Sequence, residues 1–96
     1  MRYLFLLNPT AGKRDCTAEL APAIQAAAQR AGIPPEKRKV VVTQYAGHAR
    51  ELAAEAAHTA QADGEPVRIW TAGGDGTFNE ALTGAQGCGL AAVGCL

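Results

Sequence analysis

The pentapeptide Gly73-Gly74-Asp75-Gly76-Thr77 places three glycines within four residues. The apolar run Val67 to Trp70 before it reads as a buried strand, and helix-compatible sequence resumes with Phe78, Ala81 and Leu82. A strand, a tight turn and a helix start thus follow one another with no linker, which restricts the chain to folds that join strands to helices by short connections. Glycines let such a backbone take left-handed angles and approach a ligand closely. The first NH groups of the new helix have no partner in the chain, and the aligned peptide dipoles place about half a positive charge there. An anion suits that turn, and phosphate is the common one. A chance match to the pentapeptide is on the order of one in a few thousand at ordinary residue frequencies. A glycine turn without a ligand is the plainer alternative. Spacing excludes two better known loops: the dinucleotide fingerprint needs glycine where Asn79 stands, and the P-loop needs Lys followed by Ser or Thr after its last glycine.

Ninety-six residues suit one small domain. With 48% hydrophobic and 19% charged residues the chain has a globular profile, not a disordered one. Nine basic residues balance nine acidic ones, so no net field argues for nucleic acid or an anionic membrane. Lys37, Arg38 and Lys39 form the one basic cluster, read as a solvated rim with peripheral headgroup contact at most. Cys16, Cys88 and Cys95 are odd in number and lack a C-x-x-C pair, which favours a reducing compartment over a disulfide framework or a zinc site. Cys88 and Cys95 are expected as small buried hydrophobes. No run approaches the roughly 20 apolar residues of a membrane span, and Tyr3 to Leu7 is too short for a signal-peptide core. A soluble cytoplasmic domain is the expectation.

Tyr3 to Leu7 is a continuous apolar run of strand length, which suggests burial on both faces. Asn8 to Arg14 is a loop by its Pro, Gly and polar residues. A helix is expected from about Thr17, with Leu20, Ala23, Ile24, Ala27, Ala28 and Ala31 on one face. Pro22 lies just beyond its first turn, so the helix should start late or kink; Gly32 and Pro34-Pro35 should end it. Val40 to Val42 gives a second strand, ending at Thr43-Gln44. A second helix from about Gly47 has a stripe of Ala49, Leu52, Ala53, Ala56, Ala57 and Ala60, small enough to pack closely on a sheet, and closes at Asp63-Gly64. His48 at its start and His58 on its polar side read as structural. The third strand begins near Pro66, the third helix runs from about Thr77 to Gly84, Gly87 and Gly89 mark a turn, and Leu90 to Leu96 is a fourth apolar run.

The order βαβαβαβ with apolar strands predicts an α/β fold of three layers, a parallel sheet covered by helices on both faces. Ligands on such sheets bind outside the carboxyl ends of the strands. Asn8 to Lys13, Thr43-Gln44 and Gly73 to Thr77 should therefore converge. The run that ends at Leu96 lacks polar residues to close it, so the chain is expected to be the N-terminal piece of a longer protein, unless a swapped or homo-oligomeric partner supplies the cover.

Asn8-Pro9-Thr10-Ala11-Gly12-Lys13, Thr43, and Gly73 to Thr77 followed by Asn79, Glu80 and Gly84 resemble the catalytic-domain signature of the diacylglycerol kinase family, which includes sphingosine and ceramide kinases and soluble bacterial lipid kinases. NAD kinases and phosphofructokinases share the G-G-D-G-T element; the early N-P-x-x-G-K and the later N-E-x-x-x-G favour the lipid branch. The resemblance implies an NAD kinase/diacylglycerol kinase-like nucleotide-binding domain that transfers the γ-phosphoryl of ATP to a lipid hydroxyl with Mg²⁺. Its nucleotide site would comprise Asn8, Pro9, Thr10, Ala11, Gly12, Lys13, Thr43, Gly73, Gly74, Asp75, Gly76, Thr77, Phe78, Asn79 and Glu80, with Asp75 catalytic.

The residues themselves are compatible with that site. Gly74 and Gly76 would free the backbone for phosphates, and Thr77 could cap the helix and bond a phosphate oxygen. An acid beside a phosphate loop repels its ligand unless it binds a metal or takes a proton, which marks Asp75 for chemistry; a helix cap is its plainer role. Glu80 suits adenosine, a metal or plain solvent, and Lys13 a phosphate or none. The family's P-x-G-[ST]-x-N-D segment and β-rich second domain, which carries the lipid pocket, are absent from these residues. By themselves they should bind nucleotide weakly and turn nothing over. A kinase of a soluble substrate such as NAD, and a non-catalytic nucleotide-binding module, are the alternative readings.

Overall fold

The computed structural model describes residues 1–9, 17–73 and 75–95. The elements run β1 (Arg2–Leu7), α1 (Thr17–Arg30), a 3₁₀ turn at Pro35–Lys37, β2 (Arg38–Val42), α2 (His48–Asp63), β3 (Val67–Ala72), α3 (Asp75–Gly84) and β4 (Ala91–Cys95). All strand pairs are parallel, and the sheet order is β2-β1-β3-β4. The α/β alternation is thus as the sequence pattern predicts. From β1 the chain steps one way to β2, then back across to β3 and on to β4. Crossovers of one hand must then put α1 on one face and α2 and α3 on the other.

Packing follows that division. Leu4, Leu6, Val67 and Ile69 point to the α2–α3 face and meet Ala49, Ala53, Ala57, Ala60 and Ala81. Phe5 and Leu7 point the other way, to Ile24 of α1. Leu6, Leu7 and Ile69 are the largest fully buried apolar side chains, each contributing about 1.5–3 kcal/mol by leaving water. The alanine stripe of α2 packs as expected, with Leu52 and Ala56 half-buried at its margin. Small residues are needed on both helices where they cross: a Cβ on Gly84 of α3 would lie 2.2 Å from the carbonyl oxygen of Arg50 and 3.0 Å from Cβ of Ala53.

Three expectations are corrected. The sheet is covered on both faces, but α1 lies alone on its side, and a helix about 10 Å wide spans two strands spaced about 4.8 Å apart. Burial in β3 therefore alternates, Val67, Ile69 and Thr71 being buried and Arg68 exposed. On that open face the Trp70 ring lies over Gly94, where a Cβ would come within 2.6 Å of it, and Arg68 stands 5.9 Å from the ring centroid. Cys95 is exposed because β4 is an edge strand, and Cys88, in the turn before β4, is half-buried against the core. Finally, α1 begins at Thr17 as expected and carries Pro22 inside it, but its buried stripe is not the expected one. Its buried side is Ile24 and Ala28 with half-buried Leu20 and Ala21, while Ala23, Ala27 and Ala31 face solvent.

Helix ends follow their glycines. Gly32 has φ of 80°, the Ile33 N–H reaches the Ala28 carbonyl at 3.0 Å and the Gly32 N–H that of Gln29 at 3.1 Å, a Schellman closure of α1. Gly64, with φ of 74°, closes α2. Below the sheet, Glu65 gathers Lys37, Arg2 and the terminal amine of Met1, while Asp63 takes Arg2. Two members of the basic cluster are thus engaged: Lys37 with Glu65, and Arg38 with Gln25 and the Ile33 carbonyl.

Candidate functional site

Leu7 is in register with Val42 on one side and Ala72 on the other. Three loops therefore leave the sheet at one level, beginning at Asn8, Thr43 and Gly73. The ladder continues one step past the strands: the Asn8 N–H donates to the Ala72 carbonyl at 2.9 Å, and the Thr43 N–H to that of Leu7 at 2.8 Å. The Thr43 hydroxyl donates to the same Leu7 oxygen at 3.3 Å. Among the described residues, Asn8, Thr43 and Gly73 therefore stand together at the carboxyl edge.

Gly73 is the tight point. It has φ of 143°, and a Cβ there would lie 2.5 Å from Cβ of Asn8 and 3.0 Å from Oγ1 of Thr77. The helix begins at Asp75, two residues before the predicted start. Thr77 thereby falls inside the first turn, not at the cap. It is buried, donates to the Gly73 carbonyl at 3.4 Å and accepts from Asn8 Nδ2 at 3.1 Å. Its hydroxyl clamps the turn from within.

Asp75 and Gly76 are exposed at the start of α3. Among the described residues no hydrogen bond or ion pair engages the Asp75 carboxylate, so it does not cap the helix there. A Cβ on Gly76 would meet no atom within 4 Å, and its φ is not positive. Nothing in the described protein requires glycine at that position.

A cavity of about 360 Å³, within the usual range for small-ligand sites, is lined by Asn8, Thr43, Gln44, Tyr45, Ala46, Ala49, Thr77 and Glu80. A shallower one of about 440 Å³ adjoins it through Ala46 and Glu80 and adds Arg50 and Asn79. A third, of about 260 Å³, lies at the opposite edge of the sheet around Arg2 and Lys37, away from the glycine turn. No group of three or more His, Cys, Asp or Glu side chains among the described residues is arranged to hold a metal.

The family model of the diacylglycerol kinase catalytic domain matches residues 2–96. The chain belongs to the diacylglycerol kinase catalytic domain family. Comparison with curated proteins gives no match. Membership makes the chain part of a kinase-type phosphotransferase family, and the parallel α/β sheet agrees with it.

Within this diacylglycerol kinase catalytic domain, Asn8, Thr43, Thr77 and Glu80 border one cavity, and Asn79 borders the adjoining one. Gly73, Asp75, Gly76, Pro9 and Phe78 line neither, Pro9 and Phe78 being half-buried. The expectations placed on Thr10, Ala11, Gly12, Lys13 and Gly74 lie outside the described residues. Tyr45 and Arg50 border the cavities without having been marked by sequence reasoning. A signal for Tyr45 existed: of the five aromatic residues it is the one outside both the apolar runs and the predicted helices, directly after Thr43-Gln44.

Proposed function

We propose that this chain supplies the nucleotide-binding part of a kinase that moves the γ-phosphoryl of ATP to a lipid hydroxyl, with the acceptor presented from outside residues 1–96. Gly76 carries the reading. Glycine inside a helix costs up to about 1 kcal/mol against alanine, and among the described residues no backbone angle or neighbouring atom repays it. Room for a ligand at that position supports the reading, because the end of α3 presents NH groups and a dipole that attract phosphate.

Phosphoryl transfer needs positioning and charge neutralisation more than covalent help. The first turn of α3 would hold phosphate oxygens, with Thr77 keeping that turn shut against Asn8. Mg²⁺ ordinarily takes one or two carboxylates together with substrate phosphates, and the exposed Asp75 carboxylate suits a metal that arrives with the nucleotide. When bound, the ion would neutralise phosphate charge. Asp75 is equally placed to take the proton of the acceptor hydroxyl as its oxygen bonds to phosphorus and the bond to the ADP oxygen breaks.

Amide NMR during titration with ATP and Mg²⁺ tests the site. Shifts centred on Asn8, Thr43, Gly73 and Gly76 are expected, and shifts centred on Arg2, Lys37 and Glu65 would overturn it. Transfer of label from γ-labelled ATP by the natural gene product tests the acceptor: diacylglycerol or a sphingoid base is expected, whereas labelling of NAD, or of no acceptor, would replace the lipid reading.

A further inference from the structure

Tyr45 is 55% exposed, yet it is held from two sides. Its ring stacks on the His48 imidazole with centroids 4.5 Å apart and planes 17° apart. Its hydroxyl donates to the Glu51 carboxylate, one turn into α2. His48 is itself fixed, because its Nδ1 accepts the Gln44 backbone N–H at 2.9 Å. Exposed aromatic rings ordinarily lose rotamer freedom when a ligand settles on them, and this ring has already lost it.

Burial does not explain the arrangement, since the ring stays in solvent. The cavity it borders has two chemistries: Asn8, Thr43, Gln44, Thr77 and the Glu80 carboxylate are polar, while Tyr45, Ala46 and Ala49 are apolar. A nucleotide has the same division, with charged phosphates at one end and a flat heteroaromatic base at the other. Stacking on an aromatic ring needs only a π-face and tolerates any base.

We propose that Tyr45, braced by His48 and Glu51, is the stacking platform for the nucleobase. This rests on the nucleotide reading of the first turn of α3, which this cavity adjoins through Thr77 and Glu80, and adds to it the residue that takes the base. Tyr45 is assigned to binding and not to the transfer step.

Two probes separate the parts. ATP carries phosphates and a base; inorganic tripolyphosphate carries phosphates alone. Binding of each in the presence of Mg²⁺ is measured for the unaltered chain and for Tyr45→Ala, Tyr45→Leu and Tyr45→Phe. Losing a stacking partner weakens base binding by about 5-fold or more, so Tyr45→Ala and Tyr45→Leu should lose that factor for ATP and keep tripolyphosphate affinity within about 2-fold. Tyr45→Phe, which keeps the ring, should stay close to the unaltered chain. Equal losses for both probes would make Tyr45 a brace for the loop and overturn the proposal, as would an unchanged ATP affinity in Tyr45→Leu. If tripolyphosphate fails to bind the unaltered chain while ATP binds and depends on Tyr45, the phosphate reading falls and the platform stands. If neither probe binds, both fall.

Discussion

Asn8 Nδ2 donates a 3.1 Å hydrogen bond to Oγ1 of Thr77, joining the end of the first strand to the first turn of the last helix across 69 positions of sequence. The two residues also enclose Gly73 so closely that no side chain fits between them. The glycine turn is therefore shaped by its neighbours as much as by its own composition. Replacing Thr77 with valine keeps the volume and removes the hydroxyl, leaving the Asn8 amide short of one acceptor. Urea unfolding should show a loss of about 1–3 kcal/mol. An unchanged midpoint would mean that the bond contributes nothing to holding the turn.

The glycines of the turn separate structure from function. Gly73→Ala forces a side chain against Asn8 and strains a positive φ, so it should destabilise the fold by about 1–3 kcal/mol. Gly76→Ala should leave stability unchanged or raise it by up to about 1 kcal/mol, while weakening ATP binding by about 10-fold or more. Thermal melting and nucleotide titration on the same samples check both. Unimpaired binding in Gly76→Ala would remove the main support for a phosphate site there.

At the crossing of α2 and α3 the obstacle is backbone, not a side chain that can swing away. Gly84→Ala directs a methyl at the Arg50 carbonyl and should cost about 1–3 kcal/mol or more. Because the crossing also sets how Glu80 faces the β2–α2 loop, amide shifts of Thr43 and Tyr45 should move as well. A variant with native stability and unshifted amides would show that the helices can part freely.

Acid stability should depend on the lower edge of the sheet. The Arg2 guanidinium holds the Asp63 carboxyl below its ordinary range, and Lys37, then the terminal amine, do the same for Glu65. Carboxyls with lowered folded-state pKa contribute stability that is present above their unfolded values, about pH 4, and lost as pH falls through the folded ones. The urea midpoint should thus drop between about pH 5 and pH 3. Glu65→Gln should lower it at neutral pH and flatten the drop; an equally steep decline in that variant would exclude Glu65 as a source.

The alternation of strands and helices was legible because each element carries a local signal: apolar runs at Leu4 to Leu7 and Val40 to Val42, alanines at helical spacing in α2, and glycines at its end. The cover of the α1 face was not, since whether Arg68 meets solvent depends on how many strands a single helix spans, and Cys95 is exposed because β4 is an edge strand. Composition cannot count that. The helix start was misjudged for a related reason: Gly76 argues locally against helix, yet it lies inside α3. Convergence of Asn8, Thr43 and Gly73 was readable from topology alone, whereas the bond between Asn8 and Thr77 and the brace on Tyr45 depend on side-chain placement.

The position of β1 between β2 and β3 also has a meaning in time. Synthesis delivers β1 first, but its second partner is complete only at Ala72. At ordinary ribosomal speed the interval is on the order of several seconds. During it, Leu4, Phe5, Leu6 and Leu7 are a nascent apolar segment without its full sheet, so slowing translation within residues 8–72 should raise their exposure to chaperones and proteases.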